Sequence, residues 1–288
     1  MIRTRGRPRL NVLDHQRRKP YLPGMRTCGT SLLLGLLLLS GCATTGPGGK
    51  RSLILIGSDS EVSFGKQMAE QVRSESKTFP DTAWARYVNA VGQRLVAVSD
   101  RRNIAYSFTV LEKNEINAFA LPGGYLYIYT GLLKLMDNEA ELAAVLGHEL
   151  SHVVARHGIK RMQQVLGISL IEQIALGNRG SEAAKSAINL GIGIALQGYS
   201  RENELEADRD GVYYLYRAGY DPKAAVTMFQ KLAGQEKGGR SVFERLAASH
   251  PETKERIARV EKEIEGFPPR SNLNLGKEPY QELKRRLP

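Results

Sequence analysis

The chain has 288 residues, 42% of them hydrophobic and 25% charged, enough for one large domain or two small ones with a sizeable core. The formal net charge is +11, but residues 1–41 hold eight Lys or Arg and a single acid, Asp14, while the rest of the chain sets 33 bases against 29 acids. A basic excess confined to one end argues against nucleic-acid binding, which needs a basic face on the folded domain.

Residues 31–39 read SLLLGLLLL and are followed by SGCATTGPGG. A basic segment, a short apolar run and small residues make a secretory signal. The run is too short to span a bilayer comfortably, which takes about 20 residues. Met25 is a more natural start than Met1, because it opens a compact leader, MRTCGTSLLL. The leader's end, Leu39-Ser40-Gly41-Cys42, resembles a bacterial lipobox. That resemblance implies cleavage before Cys42 and its lipidation, hence a membrane attachment through acyl chains. Ala43 after the cysteine, with no aspartate, implies the outer membrane by the same resemblance. The other cysteine, Cys28, lies inside the leader, so the mature chain is expected to form no internal disulfide. Residues 42–59 are then the lipidated cysteine and a flexible tether, and Ala43–Lys50 is small and Gly/Pro-rich.

Helical spacing of apolar residues is expected over 60–78 and 83–98. The period then changes to alternation in YSFTVLE (106–112), INAFAL (116–121) and GYLYIYT (124–130), with Pro122-Gly123-Gly124 as a tight connection. These segments predict a small, mostly antiparallel sheet beside the helices. Helix resumes at Asp137 or Asn138, either able to cap EAELAAVLGHELSHVVARHGIKRMQQ. Two apolar stretches follow, 165–176 and 187–196, each too short for a membrane span. RENELEADRDGVYYLYRAG reads as a helix stopped by Gly219. SVFERLAASHPETKERIARVEKEIEG closes the domain, with Ser249 and Glu252 at capping-box spacing. One domain over 60–266 and a polar, peripheral tail over 267–288 complete the expected organisation, an α+β and mostly helical fold.

Within LGHELSHVVARH, His148 and His152 are four residues apart, so they share one helical face. Two imidazoles so placed can bind one zinc ion, and Glu149 beside the first can move a proton between a water and a leaving amine. The motif alone also suits a helix whose histidines are merely buried. A catalytic zinc needs a third protein ligand. His157 lies nine residues after His148 and off the ligand face, which makes it a surface or C-terminal-turn residue. Glu204 and Asp208, in SRENELEADRDG, again share one face. One can bind the metal while the other accepts the free N–H of a histidine ligand. Glu202 and Glu206 fall on other faces.

These two segments together resemble the zinc metalloendopeptidase family of the CAAX prenyl protease, HtpX and BepA, over roughly residues 60–265. The resemblance implies a zincin-like fold with one zinc per chain. It makes Glu204 the third ligand and Asp208 the partner of the first histidine. INAFALPGGYLYIYTGLL is similar to the family's strand pair above the site, which implies that Asn117, Ala118, Phe119 and Ala120 form an edge holding extended substrate by main-chain hydrogen bonds. His250, in ASHPETKER, matches a segment whose histidine can occupy the open metal position. Arg256 either stabilises a developing oxyanion or pairs with a nearby acid, and the second reading is preferred. The chain is too short for a helical-repeat domain after the peptidase domain, which implies a protease-only lipoprotein. The expected activity is zinc-dependent hydrolysis of unfolded or misassembled envelope proteins, at the outer membrane and facing the periplasm. The alternative is a non-catalytic periplasmic assembly factor on the same zinc fold, for which a base at Glu149 has no use.

Overall fold

The computed structural model describes residues 42–45, 50–178, 180–235 and 254–288. The leader, the Ser249–Glu252 capping box and His250 lie outside the described residues. Strand β1 (Cys42–Thr45) pairs antiparallel with β2 (Lys50–Leu53), Cys42 facing Leu53, where the sequence predicts a tether. Ile54 and Ile56 are already buried, so the core begins before residue 60.

Helix α1 (Ser58–Glu75) is followed by α2 (Thr82–Val96), capped by Asp81, whose carboxylate accepts from the backbone N–H groups of Ala83 and Trp84. The second sheet holds β3 (Ser107–Leu111), β4 (Ala118–Leu121) and β5 (Tyr125–Tyr129) in the order β3-β5-β4. It is mixed, with β3 parallel to β5 and β4 antiparallel to β5. Residues 112–117 carry the chain one strand's width past β3, and the hairpin after β4 returns β5 into the gap. Gly123 and Gly124 make that return with φ of +79° and +99°, a backbone that side chains resist.

Period-two alternation divides the sheet's side chains between two cores. Phe108, Val110, Ala118, Ala120, Leu126 and Ile128 pack with α2 and the helices that follow the sheet. Leu111, Phe119, Leu121, Tyr127 and Tyr129 pack with α1 on the opposite face. Both faces are covered, which explains why these strands are so uniformly apolar.

A short helix the sequence does not announce, α3 (Thr130–Leu135), runs straight on from β5. Then α4 (Glu139–Val154) is capped by Asn138, whose side chain accepts from Glu141 N at 2.9 Å. The long helix expected here is in fact two. Arg156 takes a left-handed φ of +57°, and α5 (His157–Leu166) starts afresh. The break is held from outside: Arg156 donates Nε to Glu61 Oε2 at 2.6 Å and an Nη2 proton to Ile56 O at 2.7 Å. Such contacts over-determine a backbone that costs energy by itself.

The apolar stretches form α6 (Ile168–Ala175) and α7 (Glu182–Leu196). Next come α8 (Arg201–Arg217), capped by Ser200, and α9 (Lys223–Gln235). Gly219, at φ +84°, ends the first of these as its position predicts. The chain closes with α10 (Lys254–Glu265) and α11 (Lys277–Lys284). Among the described residues no helix is long and apolar enough to cross a membrane.

The expected peripheral tail is part of the core. Tyr280 is fully buried, its ring edge-on to Trp84 at 5.5 Å, and its hydroxyl donates to Leu133 O at 2.7 Å. Trp84 Nε1 donates to Leu283 O at 3.0 Å, and Arg286 pairs with Asp81 at 2.7 Å. A polar average over 267–288 conceals one large aromatic at the right place on α11.

Candidate metal centre

Helices α4 and α8 cross at glycines. A Cβ added to Gly211 would lie 3.0 Å from His148 N, and one added to Gly147 would lie 3.1 Å from Gly211 O. Larger residues at either place would separate the helices. This close approach brings the acidic face of α8 onto the histidine face of α4.

The result joins the residues singled out in the sequence. His148 Nε2 and His152 Nε2 are 3.1 Å apart. Glu204 Oε2 lies 3.4 Å from the first and Glu204 Oε1 lies 3.5 Å from the second. His152 and Glu204 are buried, and the three side chains offer ligand atoms all within 4.8 Å of one another. Two imidazole nitrogens and a carboxylate oxygen, drawn together away from water, are a donor set that suits a divalent cation. This group can bind a metal ion.

The charge pattern agrees. Burial opposes a proton on His148, yet the carboxylates of Asp208 and Glu204 outweigh it and push the imidazole up to about 10. Asp208 Oδ1 lies 3.0 Å from His148 Nδ1, the nitrogen turned away from Glu204. Burial alone would raise the Asp208 carboxyl, but its hydrogen bonds with Arg256 and His148 hold it below the usual carboxylate range.

Arg256, on α10, is 3% exposed and grips Asp208 through two bonds of 2.7 Å, from Nε and Nη2. Its Nη2 is also 3.3 Å from Glu204 Oε2. The guanidinium thus pairs with acids, the preferred of the two sequence readings, and it stacks over Phe229 at 5.0 Å.

Glu149 is buried next to the first histidine. With His148 and Arg256 it borders an apolar cavity walled by Ala118, Leu132 and Met228. Ala118 begins β4, which is an outer strand of its sheet, so the predicted edge strand runs beside this opening. Asn117 and Phe119 are buried with it.

Three residues of the site escaped the sequence reading. His157, expected at the surface or in a C-terminal turn, does follow the end of α4 but is only 3% exposed, because the break at Arg156 turns it inward. Burial pushes its imidazole below the ordinary value despite the Glu206 carboxylate nearby. Glu206 lies on another face than Glu204, as expected, but that face is buried too. Tyr199 stacks on His152, with ring centres 4.1 Å apart and planes 19° from parallel. Only the loop just before α8 places it there, and nothing local to Tyr199 signals it.

Fold and site together are those of a metallopeptidase, with a metal-binding helix packed under a small mixed sheet. The sequence profile of peptidase family M48 matches residues 83–264, and the chain belongs to that family. It is 33% identical over 188 residues to the beta-barrel assembly-enhancing protease of Yersinia pestis, covering 62% of this chain and 39% of that protein. It is 34% identical over 176 residues to the mitochondrial metalloendopeptidase OMA1 of Schizosaccharomyces pombe, covering 61% and 51%. Against the metalloprotease LoiP of Escherichia coli K12 it is 30% identical over 209 residues, covering 70% and 80%. The chain spans about two-fifths of the length of the assembly-enhancing proteases it matches.

Proposed function

We propose that this chain is a zinc-dependent endopeptidase of the bacterial cell envelope, acting on unfolded or misassembled envelope proteins. The observation that carries the proposal is the convergence of His148, His152 and Glu204 with a buried Glu149 at the mouth of an apolar cavity. Two imidazoles and a carboxylate are a ligand set that zinc takes in hydrolases, with a position left for water. A bound zinc would supply Lewis acidity to the water and to the scissile carbonyl.

In this proposal the chain's own groups do the rest. Glu149 accepts the proton of the attacking water and passes it to the leaving amine. Asp208 holds the His148 ring, and Arg256 holds Asp208 and keeps two neighbouring carboxylates from repelling each other. The outer edge of β4, Asn117 to Ala120, lays an extended chain across the cavity by main-chain hydrogen bonds. Such pairing reads backbone more than side chain and suits substrates exposed by misfolding.

The envelope setting is supported by the signal-like leader, the lipobox-like end at Cys42, and the likeness to bacterial beta-barrel assembly-enhancing proteases. We extend the proposal to a lipid on Cys42 and attachment to the outer membrane, facing the periplasm. Digestion of an unfolded protein such as casein by wild type and by Glu149→Gln, with zinc content measured on both, tests the catalytic reading. Expected are one zinc per chain in each and a loss of about 10²- to 10⁴-fold in rate for the variant. Equal digestion, or none by either, would favour the non-catalytic assembly factor.

A further inference from the structure

A histidine that gives one ring nitrogen to a metal carries its proton on the other, and that N–H needs an acceptor to set the ring's tautomer and angle. For His148 the Asp208 carboxylate stands at that place, with Oδ1 3.0 Å from Nδ1. For His152, Nδ1 lies 2.9 Å from Nδ1 of His157, and Nε2 of His157 lies 3.6 Å from Glu206 Oε2.

We infer that His157 and Glu206 position His152 for the metal, as Asp208 positions His148. The inference rests on the metal-centre reading above. With a metal on His152 Nε2, the direction of the His152–His157 bond follows from the geometry. His152 Nε2 faces Glu204 and His148, so its proton is on Nδ1 and is donated to His157. His157 Nδ1 then accepts, which leaves the His157 proton on Nε2, the nitrogen that faces the Glu206 carboxylate. Glu204, Glu206 and Asp208 all stand on α8. One helix therefore supplies a ligand and, directly or through His157, the group that orients each of the two others.

The backbone has a feature that serves this arrangement. On an unbroken helix, a residue five positions after His152 would be rotated about 140° away from it. The left-handed Arg156, locked by Glu61 and by Ile56 O, ends α4 and starts α5 with His157 facing back. Tyr199 stacks on the face of the His152 ring, which leaves hydrogen-bonded control of the ring to its edge. Glu206 and His157 are 6% and 3% exposed, so water does not readily substitute for either.

The test compares the full chain as wild type, His157→Leu, His157→Asn and Glu206→Gln. The readouts are the zinc dissociation constant by chelator competition and the visible absorption of the cobalt-substituted protein, with melting of the metal-free protein as the control for folding. His157→Leu is expected to bind zinc 10- to 100-fold more weakly and to change the cobalt spectrum. Asparagine can present an oxygen where His157 Nδ1 stands, so His157→Asn should recover most of that affinity and the wild-type spectrum. Glu206→Gln should fall between wild type and His157→Leu.

Wild-type affinity and spectrum in a folded His157→Leu would overturn the inference, as would equal impairment by Leu and Asn. If His157→Leu does not fold, Glu206→Gln decides: wild-type zinc affinity there overturns the inference, and weakened affinity in a protein of normal metal-free stability upholds it. A wild type that binds no zinc fells the metal-centre reading itself, and this inference with it.

Discussion

Replacing Glu61 by alanine should be among the most damaging single changes outside the metal centre. Glu61 is fully buried on α1. Its Oε1 accepts from Arg101 Nη1 at 2.9 Å and from Gly123 N at 3.3 Å, and its Oε2 accepts from Arg101 Nη2 at 2.8 Å and from Arg156 Nε at 2.6 Å. The two arginine side chains are only 10% and 11% exposed. Alanine would leave both guanidinium groups without their anion in a place where water reaches them poorly. Four charge-assisted bonds at about 1.5–3 kcal/mol each would sum to more than the true cost, because Arg101 keeps Ser58 Oγ and Val153 O, and Arg156 keeps Ile56 O. Breaking a buried pair from one side costs about 3–5 kcal/mol, and that is the expected loss. For a domain of this size it lowers the melting temperature by about 6–20 °C. Urea unfolding of the chelator-treated protein measures the loss without the metal's contribution, as a lower midpoint at unchanged slope. Glu61→Gln preserves the volume and isolates the charge, and should cost at least half as much. A loss below about 1 kcal/mol in both variants, the value of an exposed ion pair, would refute the reasoning.

Tyr280→Ala should remove the anchor of α11 and cost about 3–5 kcal/mol, as large-to-small changes in a core do; thermal unfolding decides, and a near-neutral result would return 267–288 to the periphery. Gly211→Val should force α4 and α8 apart at a crossing where even a methyl group would meet His148 N at 3.0 Å. About 1–3 kcal/mol of stability and a measurable part of the metal affinity should be lost together, and retention of both would contradict the close-crossing argument. Asp210 is buried beside Glu206 and Asp100, and burial above all pushes its carboxyl up to about 6 from 3.8. Its folded form holds the proton more tightly than the unfolded form, so this group makes stability fall as pH rises through roughly 4 to 6. Asp210→Asn removes that term, and the variant should gain on wild type by about 1–3 kcal/mol between pH 4 and pH 7. Parallel stability profiles over that range would show the group to be unperturbed.

Where local chemistry decides, the sequence was sufficient. Asn138, one of the two cap candidates, caps its helix because a short side chain reaches the N-terminal amides, and Gly219 ends one because it tolerates a positive φ. His148 and His152 share a face because they are one turn apart. The alternation in β3, β4 and β5 announced strands, since period two is written into neighbouring residues. Each of these outcomes depends on residues within a few positions of one another.

What the sequence left open depends on partners far along the chain. Glu204 and Asp208 have the same spacing and the same face, and only the α4–α8 crossing turns one toward both Nε2 atoms and the other toward His148 Nδ1. The strand order β3-β5-β4 follows from how a loop passes an edge, not from any strand's composition. Helical spacing from His148 puts His157 off the ligand face, at the surface or in a C-terminal turn. The break that buries it is imposed by Glu61, 95 residues before Arg156. The polarity of the tail predicts a peripheral segment, but the pocket that receives Tyr280 is made by Trp84 and Leu133, 147 residues away in the latter case. Propensity and periodicity are properties of a segment, whereas convergence on a common point is a property of the packed whole, and only the tertiary structure could decide it.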